Sequence, residues 1–124
     1  MKTDIKNNND IKLLVDTFYE RIKVDARIGF LFTEVAMVNW ETHLPKMYSF
    51  WENIIFHTGD YNGNPMLKHK ELHNHFPLNE AHFIRWMVLF SETVDSLFAG
   101  PTATEIKQRA ENISAAMMYK TLNN

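Results

Sequence analysis

Of the six histidines in the chain, two stand where an imidazole could do chemistry. His43 lies on the inner flank of a segment otherwise lined by Trp40, Met47, Phe50 and Trp51. Burying an imidazole there costs a few kcal/mol, roughly, unless it meets a polar partner. His69 follows one turn after Asn64-Pro65, a strong helix-start pair. A neutral ring in that position can offer one nitrogen to a metal while a backbone carbonyl holds its other N–H. Between the two runs Gly59-Asp60-Tyr61-Asn62-Gly63-Asn64-Pro65-Met66, a turn-rich connection. One histidine bonded to iron and one beside the open position is how haem proteins grip a planar ligand from both faces.

Other readings of the same residues stay open. His69 and His73 are four apart and could share a helical face to bind zinc with His75 beyond them, beside Glu71. The plainer account of that stretch is a polar helix exit. His57, next to a loop, and His82, in a first helical turn, read as surface or satisfied half-buried residues, and Glu41 and Glu52 fall on solvent-facing helix positions. No glycine-rich phosphate loop follows a strand and no strand–turn–helix nucleophile is visible. A helical interaction module without a metal is the remaining alternative.

The elements that must position these residues are helical nearly throughout. Ile11, Leu14, Val15, Phe18 and Ile22 recur at helical spacing with Asp10 placed to cap, and Tyr19 lies beside that stripe. A tight segment from Ala26 to Phe32 is interrupted by Gly29. The next helix is predicted from Asn39 to His57, with Pro45 giving it a short or distorted start. A short helix runs from Pro65 to Leu72, and a long one from Asn79 to Phe98 turns Phe83, Trp86, Met87, Phe90, Val94 and Leu97 inward. Gly100-Pro101 ends it, and Thr102 with Glu105 forms a capping box for a last helix carrying Ile106, Ala110, Ile113 and Met117. The class is all-α.

Composition bounds the rest. A chain of 124 residues makes one domain, 1–124, with residues 1–9 as a flexible polar lead-in. Aromatic residues reach 13%, and the nine Phe, three Trp and seven Met point first to a well-filled core and, more sharply, to one that also wraps a large planar ligand; composition alone favours the former. A net charge of −2 with no basic stripe points away from nucleic acid and membrane surfaces. With no cysteine, disulfides and covalent haem attachment are excluded. The polar start is not a secretory signal, so a cytoplasmic location is expected.

The order Phe18-Tyr19, Phe32, Trp40-x-x-His43-Leu44, Phe50-Trp51, Gly59-x-Tyr61-x-Gly63-x-Pro65-Met66-x-x-His69, Trp86 and Phe90 resembles the truncated haemoglobins. The likeness spans nearly the whole chain and is to group III, since the paired glycines that flank the distal helix in group II are missing. It implies a two-over-two helical sandwich around non-covalent haem b. His69 then matches the proximal iron ligand, and Tyr19, His43 and Trp86 match the polar distal residues. Phe32 matches the aromatic at the haem edge, while Met47, Phe50 and Trp51 match the pocket wall. Lys46 and Tyr61 are placed to reach a propionate, and Met66 joins the cofactor-binding set. The resemblance further implies uptake of dioxygen, nitric oxide or carbon monoxide at a five-coordinate iron. Hydrogen bonds from Tyr19 and Trp86 to a charged acceptor, roughly 1.5–3 kcal/mol each, would slow oxygen release. That suits sensing, scavenging or detoxification better than bulk transport. The alternative is a redox enzyme, a nitric oxide dioxygenase or peroxidase-like protein, served by a separate reductase.

Overall fold

The computed structural model describes residues 2–58, 72–74 and 76–122. Helix α1 (Asn8–Val24) begins where the Asn7 side chain accepts the Asp10 amide at 3.2 Å. Asp10 is therefore not the cap. It sits in the first turn, where an acid faces the positive end of the helix, and its carboxylate accepts the Lys6 amide at 2.8 Å. An asparagine caps as well as an aspartate does, and the asparagine run hid which one was used. The inward stripe is as expected: Ile11, Leu14, Val15, Phe18 and Ile22 are buried, and Tyr19 is buried beside them.

Where α1 ends, the Asp25 carboxylate caps the next turn by accepting the Arg27 and Ile28 amides, both at 3.0 Å. Gly29 then passes so close to α1 that a Cβ would lie 2.7 Å from the Ile22 carbonyl oxygen. Only glycine fits that approach. A π-helical turn follows (Leu31–Val35), closed by the Ala36 amide donating to the Leu31 carbonyl at 2.9 Å. Such wide turns are rare and collect at functional sites. This one carries Phe32.

Helix α2 (Trp40–Phe56) is capped by Asn39 and closed by His57 in the left-handed conformation, φ 56°. Pro45 does not shorten or break it. The carbonyl that loses its partner belongs to Glu41, and both residues are exposed, so water can serve it. Helix α3 (Glu80–Leu97) has the boundaries read from the sequence, Asn79 and Phe98. Helix α4 (Pro101–Leu122) starts differently from its expected capping box. Its cap is Asp4, whose carboxylate accepts the Thr102 and Ala103 amides at 2.9 and 2.8 Å across 98 residues of sequence. Gly100 makes room for it at φ 144°, where a Cβ would lie 2.5 Å from Asp4 Cγ. Glu105 instead lies 3.5 Å from Arg109.

The lead-in expected to be flexible is thus anchored at Asp4, and Ile5 beside it is buried in the core. Helix α1 packs on both α2 and α3, and α3 packs on α4, which gives two helices over two. The layers meet at a ring cluster. Phe18 of α1 touches Phe90 and Trp86 edge-on at 5.2 and 5.3 Å, and Trp51 of α2 stacks on Phe90 at 5.0 Å. Arg21 ties the layers at one end, donating to the Thr93 and Ser96 hydroxyls at 3.3 and 3.0 Å. Among the described residues there is no strand, and no helix is long and apolar enough to cross a membrane.

Candidate functional site

Helices α1 and α2 and the π-helical turn bring four rings to one place. Tyr19 lies edge-on to His43 with centroids 5.1 Å apart, tilted against Trp40 at 5.5 Å, and edge-on to Phe32 at 6.1 Å. Trp40 meets His43 at 5.7 Å and stacks with Phe32 at 6.5 Å. Edge-to-face and offset stacks at these separations are the favoured aromatic geometries. The cluster forms a wall with two polar handles, the Tyr19 hydroxyl and the His43 ring. His43 is half-buried, and its Nε2 is shielded from solvent.

Trp86 is reached by two routes. Phe18 touches both it and Tyr19, at 5.3 and 4.9 Å. Phe32 and Trp86 also share the lining of a small open pocket of about 50 Å³, with Ile28, Leu31, Leu72, Leu78, His82 and Phe83. Among the described residues its lining is almost wholly apolar, with His82 the one basic side chain.

His82, expected at the surface or as a satisfied half-buried residue, is the latter. It is half-buried at the third position of α3, and its Nδ1 accepts the Asn79 amide at 3.1 Å while the Asn79 side chain accepts the His82 amide at 3.2 Å. This reciprocal pair is a capping box with imidazole in place of the usual Glu or Gln. Burial holds the His82 pKa below its ordinary value, which suits the neutral ring that accepts a bond. The available signal was its spacing: His82 and Trp86 are four apart and share a helix face.

Asp25 and Arg85 frame the same corner. Arg85 donates through Nε and Nη2 to Asp25 Oδ1 at 3.0 and 2.7 Å. Burial alone would raise the Asp25 carboxyl, but the bond from Arg85, the Ile28 and Arg27 amides and the Arg85 charge outweigh it and leave the pKa lowered. The pair fixes the turn before Phe32 to the residue before Trp86.

The other candidates distribute unevenly. Met47 and Phe50 are half-buried and pack against the core from α2. Trp51, expected in the pocket wall, is buried at the centre of the ring cluster, and Phe50 meets it edge-on at 5.1 Å. Lys46 is exposed. Tyr61, Met66 and His69 lie outside the described residues, as does His75 of the zinc reading. His73 of that reading already uses Nδ1 to accept the Leu78 amide at 2.8 Å, which closes the turn into α3.

In donor chemistry the described side chains fit a porphyrin: apolar and aromatic walls, with polar groups gathered on one side. The comparisons agree. The family model for bacterial-like globins matches residues 4–119. A group 3 truncated haemoglobin of Campylobacter jejuni is 31% identical over 97% of both chains. The crystal structure of a group III truncated haemoglobin from the same species superposes with a TM-score of 0.82 and 29% identity, covering 95% of this chain and 93% of that one. With that likeness along almost its full length, this chain is a bacterial-like globin of the truncated haemoglobin type, group III, and so a member of a family of haem-binding proteins.

Proposed function

We propose that the protein uses haem b to bind diatomic gases, dioxygen foremost, and that Tyr19 and Trp86 hold the bound ligand, with His43 beside them. His69 is the residue assigned to the iron. One observation carries the reading: a buried tyrosine packed edge-on to a half-buried histidine at 5.1 Å, in a wall otherwise made of rings. A hydroxyl is retained at such a place when it has a partner to serve.

When bound, haem would supply an iron that binds the gas, leaving dioxygen a hydrogen-bond acceptor. The chain's own residues do the rest. The Tyr19 hydroxyl and the Trp86 indole N–H are donors only when they face that acceptor, and the surrounding rings exclude water that would compete. Each bond to a charged acceptor contributes roughly 1.5–3 kcal/mol, enough to slow release tenfold or more. Tight holding supports sensing, scavenging or detoxification over bulk delivery.

The test is stopped-flow displacement of dioxygen from haem-loaded protein. Tyr19→Phe should release the gas at least tenfold faster with an otherwise unchanged ferrous spectrum. A rate within twofold of the parent would remove Tyr19 from the ligand's surroundings. His69→Ala should lose haem on passage through a desalting column, and full retention with unchanged spectra would refute its assignment.

A further inference from the structure

Trp40 touches each of the other three rings of the proposed distal wall. It meets Tyr19, His43 and Phe32 within 6.5 Å, while itself remaining half-buried at the first position of α2. Its other neighbour is a cation: Lys23 Nζ stands 4.6 Å from the Trp40 ring centroid. Lys23 is in turn held by Glu20, Nζ to Oε1 at 3.1 Å, with 29% of the lysine side chain and 72% of the glutamate exposed. The order from solvent inward is therefore Glu20, Lys23, Trp40, then Tyr19 and His43.

We infer that Trp40 is the gate through which small ligands reach Tyr19 and His43, and that Lys23 is the latch that holds it shut. The claim rests on the proposed role of that wall in gas binding. An ammonium over an indole face is attracted by the ring's negative potential. The ring also stacks with Phe32 and tilts against Tyr19, so displacing it breaks the cation contact and both ring contacts together. The loop before Trp40 permits such a movement: Met37, three residues earlier, is 74% exposed and holds a positive φ of 47°, a conformation a long side chain adopts at a cost. Lys23 and Glu20 lie on α1, which is pinned into the core by its buried stripe. The latch is thus on the buried helix α1 and the gate at the first residue of α2.

The experiment is carbon monoxide rebinding after flash photolysis of haem-loaded protein. Lys23→Met keeps the aliphatic stem and removes the charge, and it should raise the bimolecular rate about two- to fivefold, the factor an exposed cation–π contact represents. Lys23→Arg, which restores a cation over the ring, should return the rate to the parent value. Raising salt should speed the parent and leave Lys23→Met unmoved, because exposed charge contacts are screened. A second readout does not depend on gas binding: the indole N–H resonance of Trp40 should shift and exchange faster in Lys23→Met and recover in Lys23→Arg. An unchanged rebinding rate, or an arginine variant that behaves like methionine, would overturn the latch. If Lys23→Met is silent while Tyr19→Phe still speeds dioxygen release, the gate fails and the gas-binding role stands. If neither variant changes any rate, both readings fall.

Discussion

Replacing Asp25 by alanine measures how much of the pocket's frame depends on one carboxylate. Its Oδ2 caps the turn that leads to Phe32, and its Oδ1 takes both bonds from Arg85, one residue before Trp86. Losing a side-chain cap of this kind costs about 0.5–2 kcal/mol. Arg85 retains solvent access and can be rehydrated once its partner is gone, so its release adds little. We take about 2 kcal/mol as the total, the upper end of the capping range. For 124 residues, the unfolding entropy of about 0.26 kcal/mol/K converts this to a melting temperature lower by about 8 °C. The effect also has a pH signature. The folded-state pKa of Asp25 is lowered relative to an unfolded value of about 3.9. Its stabilisation is therefore complete at neutral pH and fades as pH falls through the folded value. Urea unfolding followed by circular dichroism, from pH 7 down to about pH 2.5, should show the gap between parent and Asp25→Ala narrowing in acid at constant m. Equal stabilities at pH 7 would refute the reasoning, and so would a gap just as wide at the acid end.

Two further outcomes follow from the other caps. Asp4→Ala should cost about 1 kcal/mol and, because Ile5 leaves the core with it, raise hydrogen exchange at both the lead-in and the first turn of α4. Unaltered exchange at Thr102 and Ala103 would contradict the cap. Asp4 is held below its usual range, the Thr102, Ala103 and Ile5 amides outweighing a burial effect that would raise it, so its share of stability too is lost only in acid. His82 works in a nearer window: with its pKa depressed by burial, its contribution is present above about 6.5 and is lost as pH falls through the folded value. His82→Gln keeps an acceptor at the same capping position and should abolish that loss between pH 7 and 5, read from melting curves. A variant that still loses stability over that interval as the parent does would place the titrating group elsewhere.

What could be read in the sequence was whatever depends on local pattern. The limits of α2 and α3 were legible because Asn39, His57, Asn79 and Phe98 bracket uninterrupted helical stripes. Tyr19, His43 and Trp86 were singled out by family likeness, and the structure buries the first and half-buries the other two. The misses share one cause. Asp4 caps a helix 98 residues away, and Arg85 meets Asp25 across 60, so no window of sequence contains both members. For His82 a satisfied half-buried place was legible, but its bond to Asn79 is visible only in three dimensions. Trp51 was matched to the pocket wall by family likeness, and the structure buries it against Phe90. A single helix presents its stripe to two neighbours, and which neighbour each residue meets is decided by packing against Phe90.

The central claim is that this chain encloses haem in a pocket whose polar side is Tyr19, His43 and Trp86. Titrating hemin into the purified protein, then reducing it and adding carbon monoxide, tests that claim most directly. The account predicts a Soret band that saturates at one equivalent, with a sharp shift when carbon monoxide binds the reduced form. A colourless protein that takes up hemin without saturation, and gives no carbon monoxide shift on reduction, would contradict it.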